Sequence, residues 1–384
     1  WGIDWRSMYA EAAALLKRLG LPIDPHTKAR DLSVAQQQVV EIARSLSINA
    51  KVLIMDEPTS SLTLREVDEL FAIVRQLRDA GTAVVFISHR LEELFAVADR
   101  VTILRDGAYV GTREMSGIGT DEMIRLMVGR SLGELFPKQH VEPGAVVLEA
   151  EGLGVEGAFS GVSFQLRRGE IVGMSGLIGA GRTNVARAIF GTDPATAGMI
   201  KLDGKPVTIK TPGEAMALGI GYVPEDRKEH GLVLEMSIAD NITLPILSRF
   251  ARLGWLNQGR ALVQAKESSQ QLEVKMTGVD QQAAQLSGGN QQKVVLAKWL
   301  GTKPRVLILD EPTRGIDVGT KAAVHRLMSN LAAEGIAILM ISSELPEILG
   351  MSDRVLVMRE GRLTAEFSRA DATQEKLMAA ATVA

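Results

Sequence analysis

Leu286 to Asp317 reads LSGGNQQKVVLAKWLGTKPRVLILDEPTRGID, and the order of its parts decides the fold. Ser287-Gly288-Gly289 opens a helix, where free backbone N–H groups and the positive end of the helix dipole suit an anion. Val306 to Leu309 is a continuous apolar run bounded by Pro304 and Pro312. That is the pattern of a strand buried on both faces of a parallel sheet. The run ends in Asp310-Glu311, at the edge where α/β sheets place ligand chemistry, and two adjacent carboxylates there suit a metal ion and a water. Singly, the first part also reads as a loop and helix cap, and the second as a strand-ending turn. In this order they point to an anion and metal site.

The stretch occurs twice. Residues Leu32 to Thr63 read LSVAQQQVVEIARSLSINAKVLIMDEPTSSLT. Ser33 and Ser287 are 254 positions apart, as are Asp56 and Asp310 (310 − 56), Gly81 and Gly335, Asp99 and Asp353, and Gly107 and Gly361. A constant offset is a gapless internal repeat, and its period is far too long for a solenoid. The chain is two copies of one domain.

With 384 residues, 46% hydrophobic, and a net charge of −3, the composition fits a two-domain globular protein with ample core. The near-neutral balance lacks the basic footprint of non-specific nucleic-acid binding. Zero cysteines exclude disulfides and thiolate metal sites and are compatible with a reducing cytosol. No apolar run approaches the roughly 18–20 residues needed to cross a bilayer.

In order, residues 1–20 read as a helix, and the first copy of the signature helix runs from Ser33 to about Asn49. Val52–Met55 and Ala83–Ile87 read as strands, Arg65–Ala80 and Leu91–Ala98 as helices, and Val101–Leu104 as a strand. Such alternation implies βαβ units and a mostly parallel sheet. Residues 108–147 look irregular, with an interdomain linker marked by Phe136-Pro137 and Glu142-Pro143-Gly144. The expected division is a first domain over 1–137, a linker over 138–145 and a second domain over 146–384. From Val146, short Gly-punctuated strands suggest an antiparallel patch, with a hairpin at Gly198–Gly204, and Leu232 to about Met276 reads as mainly helical.

Gly176-Leu-Ile-Gly-Ala-Gly-Arg-Thr183 fits G-x-x-x-x-G-[K]-[ST], with Arg182 where Lys is expected. A strand precedes it and a helix follows. Its glycines let backbone N–H groups curl around phosphate oxygens, and Thr183 can offer a hydroxyl to Mg²⁺. Phe159, ahead of this loop, is a candidate to stack on a base but reads better as core.

The phosphate loop, the LSGGN signature, the VLILDEP strand and the ISHR segment resemble an ATP-binding cassette ATPase. GLIGAGRTN and the run from Tyr222 to Leu232 (YVPEDRKEHGL) resemble the fused twin-cassette subunit of bacterial monosaccharide importers of the ribose, galactose, xylose and arabinose type. The implied fold is α/β: two tandem cassettes, mostly parallel sheet with an antiparallel patch and a helical subdomain, the first domain incomplete.

In such ATPases two cassettes pair head to tail, and the resemblance implies two unequal sites. One would use Asp56 for Mg²⁺, Glu57 to polarise the attacking water and His89 on the γ-phosphate, opposite Ser287, Gly288, Gly289 and Asn290. The other would use Gly176, Gly179, Ala180, Gly181, Arg182 and Thr183, with Asp310 and Thr183 on Mg²⁺ and Glu311 as the second glutamate. Its signature is Ser33-Val34-Ala35-Gln36, and stiff, branched Val34 hinders approach to a phosphate. At this second site Ser343 replaces the histidine, Glu225 stands where a Gln senses nucleotide, and Arg182 is a planar fork where Lys is compact. Losing one charge-positioning donor costs about 10²–10³ in rate, so this site is expected to bind ATP and hydrolyse it poorly. By the offset, the first phosphate loop and its Gln loop would fall before Trp1 (176 − 254 is −78; 225 − 254 is −29). The expectation is an N-terminally truncated chain, nearly inactive alone.

The implied cofactors are ATP and Mg²⁺. The implied partners are membrane permease subunits, a periplasmic or extracellular sugar-binding protein acting indirectly, and a second copy of this chain in a homodimer within the transporter. No nucleic acid is implied, and the place of work is the cytoplasmic face of the membrane. Leu232 to Met276 is a candidate docking surface for the permease, or a purely structural subdomain. Two alternatives stand beside this reading. One is a soluble twin-cassette ATPase acting on ribosomes or nucleic acid, which calls for a charged helical linker and two good signatures. The other is an importer ATPase for a nucleoside, autoinducer or polyol.

Overall fold

A computed structural model describes residues 2–18, 23–47, 50–59, 62, 64–88, 90–105, 107–128, 136–252 and 254–382. Contacts divide the chain into two units, Trp1–Arg130 and Ser131–Ala384.

In the first unit the strands Val52–Asp56 and Ala83–Ile87 pair in parallel, from Val52↔Ala83 to Asp56↔Ile87. The helix Leu64–Asp79 connects them. Its Val67, Leu70, Phe71, Val74 and Leu77 recur at spacings of three and four and are buried, which is the stripe an amphipathic helix turns to a sheet. Helices Trp5–Arg18 and Val34–Ser47 contribute Leu16, Val39 and Ile42 to the same core. Residues 108–128 correct the expectation of irregular structure. Ala108–Glu114 is a strand antiparallel to Arg100–Arg105, and Thr120–Val128 is a helix that buries Met123 and Ile124.

The second unit is built on a six-stranded sheet. Its strands are β1 (Ile171–Gly176), β2 (Ile220–Val223), β3 (Val306–Asp310), β4 (Ala337–Ile341), β5 (Arg354–Arg359) and β6 (Arg362–Ser368). They lie in the order β2-β3-β4-β1-β5-β6, all parallel except β6, which runs antiparallel to β5. Every residue of β3 and β4 is buried, as a sheet covered on both faces requires. A four-stranded antiparallel sheet precedes it, made of Val146–Val155, Phe159–Arg167, Ala197–Leu202 and Lys205–Val207. Asp203 and Gly204 turn its hairpin with φ of 46° and 74°. The stretch from Leu232 to Met276 is helical at Ile238–Thr243 and Gln258–Gln271, with a small hairpin, Ala251–Arg252 against Trp255–Leu256, between them.

The repeat holds at the level of register. The β3/β4 pairing runs from Val306↔Ala337 to Asp310↔Ile341, which is the first unit's pairing moved by 254 positions (306 − 52). The register shift between Ile103 and Leu104 recurs between Val357 and Met358. Glu57 and Glu311 both follow their strand in the left-handed region, with φ of 45° and 48°, and each donates its N–H across the sheet, to Ile87 O and Ile341 O, at 2.9 Å.

Residues 136–139, read from the sequence as the end of the first domain and the start of the linker, belong to the second unit. The Phe136 ring centroid is 5.0 Å from that of His325. Lys138 Nζ is 2.7 Å from Asp353 Oδ2, and Gln139 N donates to Ser329 Oγ at 2.8 Å.

Candidate functional site

The sheet order places the carboxyl ends of β1 and β3 on either side of β4, so the Gly-rich loop and the Asp310-Glu311 pair meet at one edge. Gly176 ends β1 with φ 152°, and a Cβ there would lie 2.3 Å from Met358 O. Only glycine fits this approach. The loop then exposes Leu177 and Ile178 and buries Ala180, and Gly181 caps the helix Arg182–Phe190. Gly179 and Gly181 take φ of 84° and 94°.

Arg182 is buried against the sheet. Its Nη1 donates to Ser342 O at 2.7 Å and lies 3.5 Å from Glu311 Oε1. Ser343 donates from Oγ to Glu311 Oε2 at 3.0 Å. Burial pushes the Glu311 carboxyl up to about 7, against the opposing pull of the Arg182 charge and the Ser343 hydrogen bonds. Asp310 is fully buried, and burial holds its carboxyl above its ordinary value against the nearby Thr183 hydroxyl, the Tyr222 hydrogen bond and the charges of Arg182 and Arg187. Tyr222 on β2 donates to Asp310 Oδ2 at 3.2 Å, and Oδ1 is buried without a hydrogen-bond partner. A buried, unsatisfied carboxylate oxygen beside the Thr183 hydroxyl is an acceptor set waiting for a cation. Among the described residues no group of three or more His, Asp or Glu side chains could hold a metal by itself. Two protein ligands suit a metal whose other positions belong to phosphate and water.

Behind the loop, Ser342 Oγ donates to Glu347 Oε2 at 2.5 Å, and His325 Nε2 is 2.7 Å from Glu347 Oε1, all three residues being buried. The repeat keeps part of this in the first unit, where Ser88 Oγ and Thr59 Oγ1 donate to Glu93 at 2.6 and 2.7 Å.

At the signature, Ser287 caps the helix Gly288–Leu300, Asn290 Nδ2 donates to Ser287 Oγ at 2.9 Å, and Asn290 Oδ1 accepts from Lys275 N at 2.8 Å. Gly289 faces Thr320, whose Oγ1 would be 2.8 Å from a Cβ. Glu225 is paired with Arg314, a partner the sequence does not announce. In the first unit Ser33 and Gln36 form a reciprocal cap, Gln36 N to Ser33 Oγ at 3.3 Å and Ser33 N to Gln36 Oε1 at 3.0 Å. Asp56 and Glu57 are exposed at the end of their strand, and His89 lies outside the described residues. Phe159 is 5% exposed and belongs to the core. Tyr222 and Arg314, and the contact of Ser343 with Glu311, were missed by sequence reasoning. Only the position of Tyr222 on a strand beside β3 could have signalled its role.

Among the described residues no helix is long and apolar enough to cross a membrane. The family profile described as ABC transporter matches residues 5–60 and 159–314. Ribose import ATP-binding protein RbsA 1 of Streptomyces coelicolor is 57% identical over 99% of this chain and 75% of its own length. A ribose import ATP-binding protein of Rhodococcus jostii is 55% identical, over 99% of this chain and 76% of its own. A putative ribose/galactose/methyl galactoside import ATP-binding protein of Burkholderia lata is 51% identical, over 98% and 72%. Among solved structures, MJ1267, an ATP-binding cassette of an ABC transporter, superposes with a TM-score of 0.53 at 25% identity, over 62% of this chain and 98% of that one. CbiO1 from Clostridium perfringens, with a TM-score of 0.51 at 24% identity over 62% and 93%, has the same fold. The Gly-rich strand-to-helix loop, the buried strand-end aspartate and the LSGGN helix lie in a chain that the profile matches over more than half its length and the relatives over nearly all of it: the chain belongs to the ATP-binding proteins of ABC transporters.

Proposed function

We propose that this chain is the ATP-hydrolysing subunit that powers import of a monosaccharide through a separate membrane permease. The observation that carries the reading is the 57% identity to a ribose import ATP-binding protein over 99% of the chain. The reading puts the subunit at the cytoplasmic face of the membrane, on its permease, with a sugar-binding protein delivering substrate on the far side.

Two sets of residues handle ATP unequally. In the first unit, Glu57 polarises the attacking water, His89 contacts the γ-phosphate, Asp56 is the metal ligand and Ser33 stands in a signature without glycines. In the second unit, the amides of Gly176 to Thr183 cradle the phosphates, Asp310 and Thr183 are the metal ligands, and Ser287 to Asn290 form the intact signature. Mg²⁺, when bound, neutralises phosphate charge. The unpartnered Asp310 Oδ1 supports this ligand assignment. Glu311 is held by Arg182 and Ser343 within its own unit, which supports a second set that retains nucleotide more than it turns it over.

The test is ATP turnover of the full-length subunit reconstituted with its permease and binding protein. Turnover should rise on adding sugar, fall by about 10²-fold or more in Glu57→Gln, and change by less than about 5-fold in Glu311→Gln. Turnover indifferent to Glu57→Gln, or to every monosaccharide offered, would overturn the proposal.

A further inference from the structure

The loop that follows Glu225 is tied to the signature helix at both ends. Asp226 accepts from Lys228 N at 2.7 Å and Glu229 N at 3.0 Å, which fixes a single wide turn, Arg227–Gly231. At the near end Arg227 spans two carbonyls of the segment after Asp310-Glu311: Nη1 donates to Arg314 O at 2.8 Å and Nη2 to Gly315 O at 3.2 Å. The same guanidinium closes on the start of the signature helix. A Cβ at Gly288 would lie 2.7 Å from Arg227 Nη2 and 3.3 Å from Gly315 O. At the far end Gly231 O accepts from buried Lys298 Nζ at 2.9 Å, and a Cβ at Gly231 would lie 3.0 Å from Val295 Cγ2. Val295 and Lys298 belong to the helix that Gly288 begins.

Arg314 is the hinge of this arrangement. Its side chain pairs with Glu225, and its carbonyl is held by Arg227. A continuous set of contacts therefore runs from Glu225, through Arg314 and Arg227, to Gly288. Under the proposed function, Ser287 to Asn290 form the signature, and Glu225 stands where a Gln senses nucleotide.

We infer that Arg227 is the positioning residue that sets the first turn of the signature helix, and that it couples Glu225 to that turn through Arg314. Arginine is required because a planar fork holds two carbonyls at once, which a compact ammonium does not. Release of Arg314 by Glu225 would free the 314–315 backbone on one side, and Arg227 would carry the change to Gly288. The inference rests on the proposed function for the part each group takes in handling ATP.

The experiment uses the full-length subunit in its reconstituted transporter, with wild type, Arg227→Lys, Arg227→Met, Gly288→Ala, the pair Gly288→Ala/Arg227→Met, and the cycle of Glu225→Ala with Arg227→Met. Sugar-stimulated turnover of wild type establishes the functional reading separately. Arg227→Met is expected to lower kcat about 10-fold or more with KM for ATP changed less than about 3-fold, and Arg227→Lys to recover little of it. Removing the guanidinium should restore part of the turnover lost in Gly288→Ala, since it opens the 2.7 Å contact. Glu225→Ala and Arg227→Met should combine less than multiplicatively. A wild-type kcat in Arg227→Met, a loss of kcat fully recovered by Arg227→Lys, no recovery in the Gly288 pair, or strictly multiplicative effects in the cycle would each overturn the inference.

Discussion

Arg182 Nη1 lies 3.5 Å from Glu311 Oε1 while donating to Ser342 O at 2.7 Å. Under the proposed function, Arg182 is thus held by a carboxylate that competes with phosphate for it. Both side chains are 9% exposed, so neither charge is well solvated without the other. Arg182→Ala should destabilise the second unit by about 1–3 kcal/mol at pH 8, because it removes the charge that lets the buried Glu311 carboxyl ionise. Adding Glu311→Gln should return most of that loss. Urea unfolding of the two singles and the double measures the coupling.

Gly176→Ala is expected to cost about 3 kcal/mol, since its Cβ would meet the Met358 carbonyl at 2.3 Å and backbone has little room to give. Nucleotide binding by the second set should be lost with it. Calorimetric titration with ATP, alongside thermal melting, separates the two effects. Retained binding at wild-type stability would show that the loop tolerates a methyl group there.

Ile308→Ala opens a cavity in a fully buried strand and should cost about 2–5 kcal/mol. Denaturant unfolding measures the loss, and a change below about 0.5 kcal/mol would contradict the burial of β3 on both faces.

Glu347 gives a pH dependence. Burial alone would raise its carboxyl, but the hydrogen bond and charge of His325, the Ser342 hydroxyl and the Lys321 charge outweigh burial and hold it below its ordinary value of 4.5. A carboxyl depressed in the folded state adds stability above pH 4.5, and that stability is lost as pH falls through the folded value. Glu347→Gln should therefore destabilise by about 1.5–3 kcal/mol near neutral pH, with the gap closing in acid. Melting temperatures of the two proteins from pH 3 to pH 8 provide the check, and a gap that widens in acid would count against the network.

Much of the fold was legible because its signals are local and periodic. The strand Ala83–Ile87 has the bounds its sequence pattern predicts, and the 254-position offset marks the duplication without any contact. Residues 108–128 were not legible for the opposite reason. The strand Ala108–Glu114 carries one buried residue, Gly111, so little alternation survives, and the nine-residue helix after it offers only about two and a half turns of pattern. In the candidate site, residue types and loop order were readable. Partnerships were not: Tyr222 finds Asp310 from 88 positions away, and Arg314 finds Glu225 from 89, with no periodicity to mark either.

Glu57 and Glu311 hold the same left-handed backbone, with φ of 45° and 48°. Each such turn costs a side-chain-bearing residue about 1–2 kcal/mol that glycine would not incur. A drift toward sturdier sequences would replace both with glycine, and the carboxylate would vanish in the same step. Both copies nonetheless keep a carboxylate at that bend, so one chain bears the same backbone cost twice for the sake of an acid at the strand's end.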